Sequence, residues 1–342
     1  MKKTILSVLT LLALSQASFA ADEKPFAIAI HGGAGTISKA NLTESQIQQY
    51  KDKLTEAVNA GHRILAKGGD STRAVQAAIN VLEDSPLFNA GKGAVYTYDG
   101  GHELDASFMD GRTMNAGAVA GVRHIKNPID LAIDVMKHSP HVMLSGSGAE
   151  EFALSRGYQL VAQEYFDTDH RYRQLVKAKQ KLMDAQVATK DYQASIYRLD
   201  LEYKFGTVGA VALDKQGNLA AGTSTGGMTV KRFGRIGDSP VIGAGTYAEN
   251  GVCAVSATGH GEYFIRYHVA GDICARVKYQ QKSIIQAADE VINQRLITAG
   301  GTGGVIAIDQ RGNIATPFNT EGMYRASRSN NDVATVMIWR EQ

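Results

Sequence analysis

Gly206-Thr207 stands where a charged, tyrosine-dotted segment gives way to the apolar run Val208-Gly209-Ala210-Val211-Ala212-Leu213. Were the chain cut between these two residues, threonine would carry a hydroxyl and a free α-amine together at the start of a strand. Such an amine titrates near pH ~7.7 to 8.0, so a good part of it is neutral and able to accept the hydroxyl proton. Nucleophile and base then share one residue, and no histidine is required. Glycine ahead of the threonine suits the cut. It reaches backbone conformations in which the hydroxyl can attack its carbonyl and form an ester that water opens. Taken alone, Thr207 reads as an ordinary β-branched strand residue; its neighbours have to decide between the two.

Two other chemistries compete. Gly222-Thr223-Ser224-Thr225-Gly226 matches the serine-hydrolase elbow pattern, with His31-Gly32-Gly33 resembling its oxyanion motif. His260 or His268 could serve as base, with Asp238 or Asp272 as the acid. An elbow needs a strand before its serine and a helix after it. Here the preceding strand is half of a hairpin, and the stretch 227–240 is full of turn residues, so the context argues against Ser224. Arg235 and Asp238 could instead hold a zwitterion in a non-catalytic periplasmic protein that binds amino acids or peptides. That reading leaves Gly206-Thr207 unexplained.

The elements that must position these residues are partly legible. Phe26 to Ile30 reads as a buried strand ending in the turn His31-Gly32-Gly33-Ala34-Gly35. Ile47, Leu54, Val58 and Leu65 recur on one helical face before Gly68-Gly69. A second helix, capped by Ser71, turns Val75, Ala78, Ile79 and Leu82 inward. The segment 87–111 reads as a hairpin with glycine turns, and 127–140 returns to helical spacing. Residues 163–204 are polar and charged, which suits either a solvated, mobile linker or an exposed helix. Beyond them lies an internal echo: 206–228 and 301–323 align without a gap at an offset of 95 residues, each a hairpin around an Asp-x-x-Gly-Asn turn. The second copy carries its own pair, Gly301-Thr302, but a cut there would sever strands from their core.

Composition bounds the class. Lys2 and Lys3, the apolar run Ile5 to Leu14 and Ser18-Phe19-Ala20 read as a cleaved signal peptide over residues 1–20, which implies a periplasmic address. That run is too short to span a bilayer, and no membrane partner is expected. The formal net charge of +2 falls to zero once Lys2 and Lys3 are discounted, and no basic stripe suggests nucleic acid. The two cysteines, Cys253 and Cys274, lack metal-ligand spacing. Cys253 lies in a strand-like run and Cys274 in a helix-like one, and although an oxidising compartment would let them pair, they are expected as buried free thiols.

Eight motifs in order extend over nearly the whole mature chain. They are HGGAG (31–35), LFNAGKGAV (87–95), ELDA (103–106), GTVGAVALD (206–214), GTSTGG (222–227), GRIGDSP (234–240), ATGHGE (257–262) and PFNTEGMYRA (317–326). Together they resemble the plant-type asparaginase/isoaspartyl peptidase family of N-terminal-nucleophile hydrolases. The resemblance implies an α+β fold, a four-layer αββα sandwich forming one structural domain. It is cut autocatalytically into an α piece (21–206) and a β piece (207–342) that remain associated. Thr207 resembles the nucleophile, Thr225 the hydroxyl that polarises it, and Thr258 and Gly259 the oxyanion donors. Arg235 and Asp238 resemble a clamp for the α-carboxylate and α-ammonium of the substrate, with Gly261 and Asn89 in support.

The resemblance further implies a sodium ion on the backbone carbonyls of Leu82, Glu83, Ser85, Phe88, Ala90 and Lys92, no organic cofactor, and a dimer of αβ units. The implied substrates are small molecules, isoaspartyl dipeptides and L-asparagine. In the related glycosylasparaginases aspartate is expected before the nucleophile and asparagine after GTST, so Gly206 and Gly226 point to the asparaginase/isoaspartyl branch.

Overall fold

A computed structural model of the protein describes residues 24–189 and 206–340; the expected signal segment and the end of the expected linker lie outside the described residues. Strand β1 (Ala27–Gly35) is buried from end to end, because it is paired on both edges. β11 (Gly322–Ser329) runs antiparallel on one side and β5 (Val208–Leu213) antiparallel on the other. β5 turns into β6 (Leu219–Thr225), which pairs with β2 (Leu104–Asp110). β3 (Ala116–Val122), β4 (Met143–Ser145) and β12 (Thr335–Met337) complete an eight-stranded sheet in the order β12-β11-β1-β5-β6-β2-β3-β4. A second sheet has four strands in the order β10-β9-β8-β7: β10 (Ile314–Ala315), β9 (Gly303–Asp309), β8 (Cys253–Gly259) and β7 (Thr246–Glu249).

Strand side chains alternate between faces, and here each face has a partner. On one face of the large sheet, Ile28, Ile30, Ala210 and Phe108 share a core with Leu54, Val58, Val75 and Ile79 of helices α1 (Glu44–Ala66) and α2 (Ser71–Glu83). On the opposite face, Ala29, Val211, Leu213 and Ala221 meet Ala254, Ile306 and Ile308 of the second sheet. The outer face of that sheet packs Val255 and Val305 against Ile273, Ile284 and Val291. Truncating one of these buried aliphatic side chains to alanine costs about 2–5 kcal/mol. The fold is α+β, and among the described residues no helix is long and apolar enough to cross a membrane.

The two expected helices form with the faces the spacing gave, Ile47 being half-buried at the margin. Asp70 rather than Ser71 caps α2, because its carboxylate reaches the Arg73 N–H at 2.7 Å. The expected helix over 127–140 is α3 (Pro128–His138). The expected hairpin over 87–111 is absent. The chain instead makes a 3-10 turn at Gly91–Gly93 and a long loop, and β2 finds its partners in β3 and β6. α4 (Gly146–Ser155) packs against β3. The expected linker begins as structure: a 3-10 turn (Gln163–Phe166) leads into α5 (Asp169–Thr189). Leu175, Ala178 and Leu182 of this helix are buried with Tyr96 and Val230, so it is neither solvated linker nor fully exposed.

The expectation of free thiols is overturned as well. Cys253 and Cys274 form a disulfide, with Cα atoms 5.6 Å apart. It ties the start of β8 to the helix α7 (Val269–Gln280), which follows α6 (Gly261–Tyr267) and precedes α8 (Ile284–Asp289). Closing a loop of this size stabilises by about 3 kcal/mol in the chain-entropy account.

Candidate active site

Thr207 lies at the mouth of β5, and Thr225 ends the neighbouring β6. The antiparallel register that pairs Val208 with Ser224 therefore brings their side chains together. Thr207 Oγ1 donates to Thr225 Oγ1 at 3.0 Å, and Thr225 Oγ1 also accepts from Gly227 N at 3.0 Å. Ser224, one residue earlier, points to the opposite face. Its hydroxyl is fully buried and donates to Glu83 Oε1 at 2.6 Å. The strand continues past Ser224 with no turn into a helix, and Asp272 is engaged with Arg276 and Arg295. The serine-elbow reading fails on this geometry.

The backbone at the seam is tightly held. Gly206 has φ +111°, a conformation that L side chains rarely adopt. Its carbonyl accepts from Asn89 N at 3.0 Å, while a Cβ on Gly33 would fall 2.3 Å from Gly206 Cα. Asn89 is itself locked: its Nδ2 donates to Gly227 O at 2.7 Å and its Oδ1 accepts from Val95 N at 2.9 Å.

His31 Nδ1 donates to Thr207 O at 2.9 Å, and its Nε2 accepts from Ser256 Oγ at 3.0 Å. Burial lowers the His31 pKa to about 3, against the pull of the Thr207 hydrogen bond, so the ring is neutral. Behind Ser256 runs a chain of buried hydroxyls: Thr223 (2.6 Å), Thr246 (2.6 Å) and Ser107 (2.8 Å), each donating to the one before it. By sequence His31 opens the glycine turn. The structure places it beneath Thr207, and the supporting hydroxyls, scattered over four strands, had no sequence signal.

Thr258 and Gly259 end β8 and face the same cleft as Thr207 and Thr225. Thr258 Oγ1 accepts from Ala34 N at 3.2 Å, which leaves its own proton available to a group in the cleft. Arg235 and Asp238 line the same cleft. The Arg235 guanidinium is held in a two-point grip by Glu262, Nε and Nη2 each at 2.9 Å. Burial raises Glu262, but hydrogen bonds from His260 and Arg235 outweigh it and hold the carboxylate well below its ordinary range. This role of Glu262 escaped the sequence reading, although the residue closes the ATGHGE motif.

Burial pushes Asp238 up to about 7, against the attraction of Arg235. Its Oδ2 is buried with no hydrogen-bond partner among the described residues. Such an acceptor is costly unless a ligand donor completes it. Gly261 lets this corner close, since a Cβ there would lie 2.9 Å from Asp238 Oδ1. The free volume of the cleft is only about 30 Å3, enough for about two waters by the volume one water needs.

The loop from Leu82 to Lys92 folds its backbone carbonyls tightly against its own glycines. A Cβ on Gly91 would sit 2.3 Å from Glu83 O, and one on Gly93 2.1 Å from Phe88 O. The Glu83 carboxyl is engaged elsewhere, by Ser224, Ile129 N and Asn127. Among the described residues no cluster of His, Cys, Asp or Glu could hold a metal.

The family model described as asparaginase matches residues 24–338. The isoaspartyl peptidase of Escherichia coli is 51% identical over 315 residues, covering 92% of this chain and 96% of its own. That of Salmonella typhimurium is 50% identical, covering 92% and 98%. The plant-type L-asparaginase of Pyrococcus abyssi is 43% identical, covering 87% and 94%. The chain belongs to the asparaginase family.

Proposed function

We propose that the protein hydrolyses β-aspartyl dipeptides and L-asparagine to aspartate, using Thr207 as nucleophile after the chain has opened itself between Gly206 and Thr207. One observation carries this reading: Thr207 and the Arg235–Asp238 pair line a single cleft. The pair is complementary to a free α-carboxylate and a free α-ammonium on one carbon, which asparagine and β-aspartyl peptides possess and an internal aspartate lacks. With both groups clamped, the carbonyl presented to Thr207 is the side-chain one.

In self-opening, Thr207 Oγ attacks the Gly206 carbonyl carbon, and the Asn89 N–H supports the charge that develops on the oxygen. The peptide C–N bond breaks as the ester forms, the nitrogen takes up the proton, and water then hydrolyses the ester. In turnover the freed α-amine takes the Thr207 hydroxyl proton as Oγ attacks the substrate carbonyl. Thr258 and the Gly259 N–H hold the oxyanion, and the amine returns the proton to the leaving nitrogen. Water next displaces aspartate from the β-aspartyl ester.

Gly206 fills part of the cleft in the unbroken chain, and its withdrawal after cleavage would make room for substrate. The three apolar clusters support a four-layer αββα sandwich, in which the two pieces share cores and stay associated. The disulfide favours the oxidising periplasm over the cytoplasm. The crowded loop at Leu82 to Lys92 offers oxygen donors of the kind a hard cation such as sodium takes, and association into a dimer of αβ units completes the proposal.

The clamp is tested by comparing β-Asp-Leu with its N-acetylated form. Acetylation removes the ammonium that Asp238 receives, so turnover should drop on the order of 10²-fold or more. Equal turnover of both would remove Asp238 from substrate recognition.

A further inference from the structure

Thr302, the second copy of Thr207 in the internal echo, does not face the cleft. It lines a separate cavity of about 230 Å3 together with Thr36, Thr320 and Glu321. The two spaces adjoin, because Ala34 and Gly259 line both. Ala34 is pinned there by its N–H bond to Thr258 Oγ1. On the other side a Cβ on Gly259 would come within 2.5 Å of Thr302 O, so Gly259 and Thr302 approach backbone to backbone. Arg235 and Asp238 line only the first. The second space therefore adjoins the first at Gly259, one of the donors that would hold the scissile carbonyl, and not at the clamp.

We propose that this second cavity receives the residue released from a β-aspartyl dipeptide, and that Glu321 sets which residue is preferred. The step rests on the hydrolase reading above. In that reading the aspartyl half is fixed at Arg235 and Asp238 and the carbonyl at Thr258 and Gly259, so the leaving residue extends away from the clamp, past Gly259. The cavity is smaller than the roughly 300 to 1,000 Å3 of sites for larger ligands, which suits a single side chain. Its lining includes Thr36, Thr302 and Thr320, the last with its hydroxyl donated to Gly322 O at 2.9 Å. Asn319 contributes no free amide, since its Nδ2 donates to Ile292 O and Gly301 O and its Oδ1 accepts from Gly303 N. Glu321 is the one charged residue of the lining; it is exposed and has no ion-pair partner among the described residues. A cationic or hydroxyl-bearing leaving residue is favoured there, and an acidic one is repelled.

The test measures kcat/KM for β-Asp-Lys, β-Asp-Glu and L-asparagine. Both dipeptides carry the same C-terminal carboxylate, so their ratio isolates the side chain, and asparagine, whose leaving group is ammonia, gives the internal reference. The unaltered protein should prefer β-Asp-Lys. Glu321→Gln should reduce the Lys-to-Glu ratio about twofold to threefold, and Glu321→Lys about tenfold or more, on the scale of one partly exposed charge pair lost or reversed. Thr302→Leu, which narrows the cavity and leaves the backbone contacts of Thr302 in place, should lower the ratio of dipeptide to asparagine turnover several-fold. Ratios that stay put in all three variants, with asparagine still hydrolysed, would overturn the subsite and leave the hydrolase reading standing. Hydrolysis of neither asparagine nor dipeptide by the unaltered protein would overturn both.

Discussion

The two hairpins of the internal echo share a turn and differ in what lies at its open end. In both, the turn aspartate gathers the next backbone: Asp214 Oδ1 accepts from Gln216 N and Asn218 N, and Asp309 Oδ1 from Arg311 N and Asn313 N. The return strand of the first runs seven residues, to Thr225. The return strand of the second ends at Ala315, because the position matching Gly222 is Pro317, which has no N–H to give to a ladder. Thr225 is thus delivered to Thr207 as a hydrogen-bond partner, whereas its counterpart Thr320 turns its hydroxyl to Gly322 O. Gly206 is held in a left-handed conformation with its carbonyl on Asn89 N, while Gly301 lacks the positive φ and hands its carbonyl to Asn319. The same local motif becomes a reactive seam or a plain strand start according to its tertiary partners.

The largest effect should separate the two threonines. Thr207→Ala should leave the chain uncut and lower turnover by at least ~10⁴-fold, the scale of losing a nucleophile. Thr302→Ala should still be cut between Gly206 and Thr207, as fragment masses would report. A chain in which either threonine serves equally would erase the contrast.

A smaller effect should come from Asp238, which sits at the first hairpin's cleft and has no equivalent at the second. Productive binding of the ammonium needs the carboxylate, so kcat/KM should rise with pH as Asp238 loses its proton near about 7. Asp238→Asn should lower kcat/KM on the order of 10²-fold. The remaining rise should then follow the Thr207 amine, near pH ~7.7 to 8.0. An unchanged pH profile in that variant would show that Asp238 does not titrate in recognition.

The smallest effect on chemistry should come from the disulfide, which belongs to the second sheet. Cys253→Ala with Cys274→Ala removes about 3 kcal/mol of stabilisation and should lower Tm by several degrees. Turnover at room temperature should remain. Parallel loss of activity in the folded variant would show that the disulfide shapes the site as well as the fold.

Much of this was legible in the sequence, for physical reasons. Helical spacing exposed α1 and α2, and the glycine-threonine motifs marked Thr207, Thr225, Thr258 and Gly259, which the structure gathers around one cleft. What escaped notice depends on contacts distant in the chain. Cys253 and Cys274 sit in elements of different type, and nothing local says that β8 and α7 bring them within bonding distance. The polar composition of α5 hid Leu175, Ala178 and Leu182, which are buried only because Tyr96 and Val230 meet them. Glu262 reads as one more exposed acid until Arg235 is seen in its grip. The hydroxyls beneath His31 are ordinary strand residues anywhere but in this stack.

The central claim is that one threonine serves first as a link in the chain and then as a chain start. Intact mass and N-terminal sequencing of purified, active protein test it most directly. The account predicts two fragments, one beginning Thr207-Val208-Gly209, with activity appearing in step with their formation. Full activity from protein whose backbone is continuous through Gly206-Thr207 would contradict it.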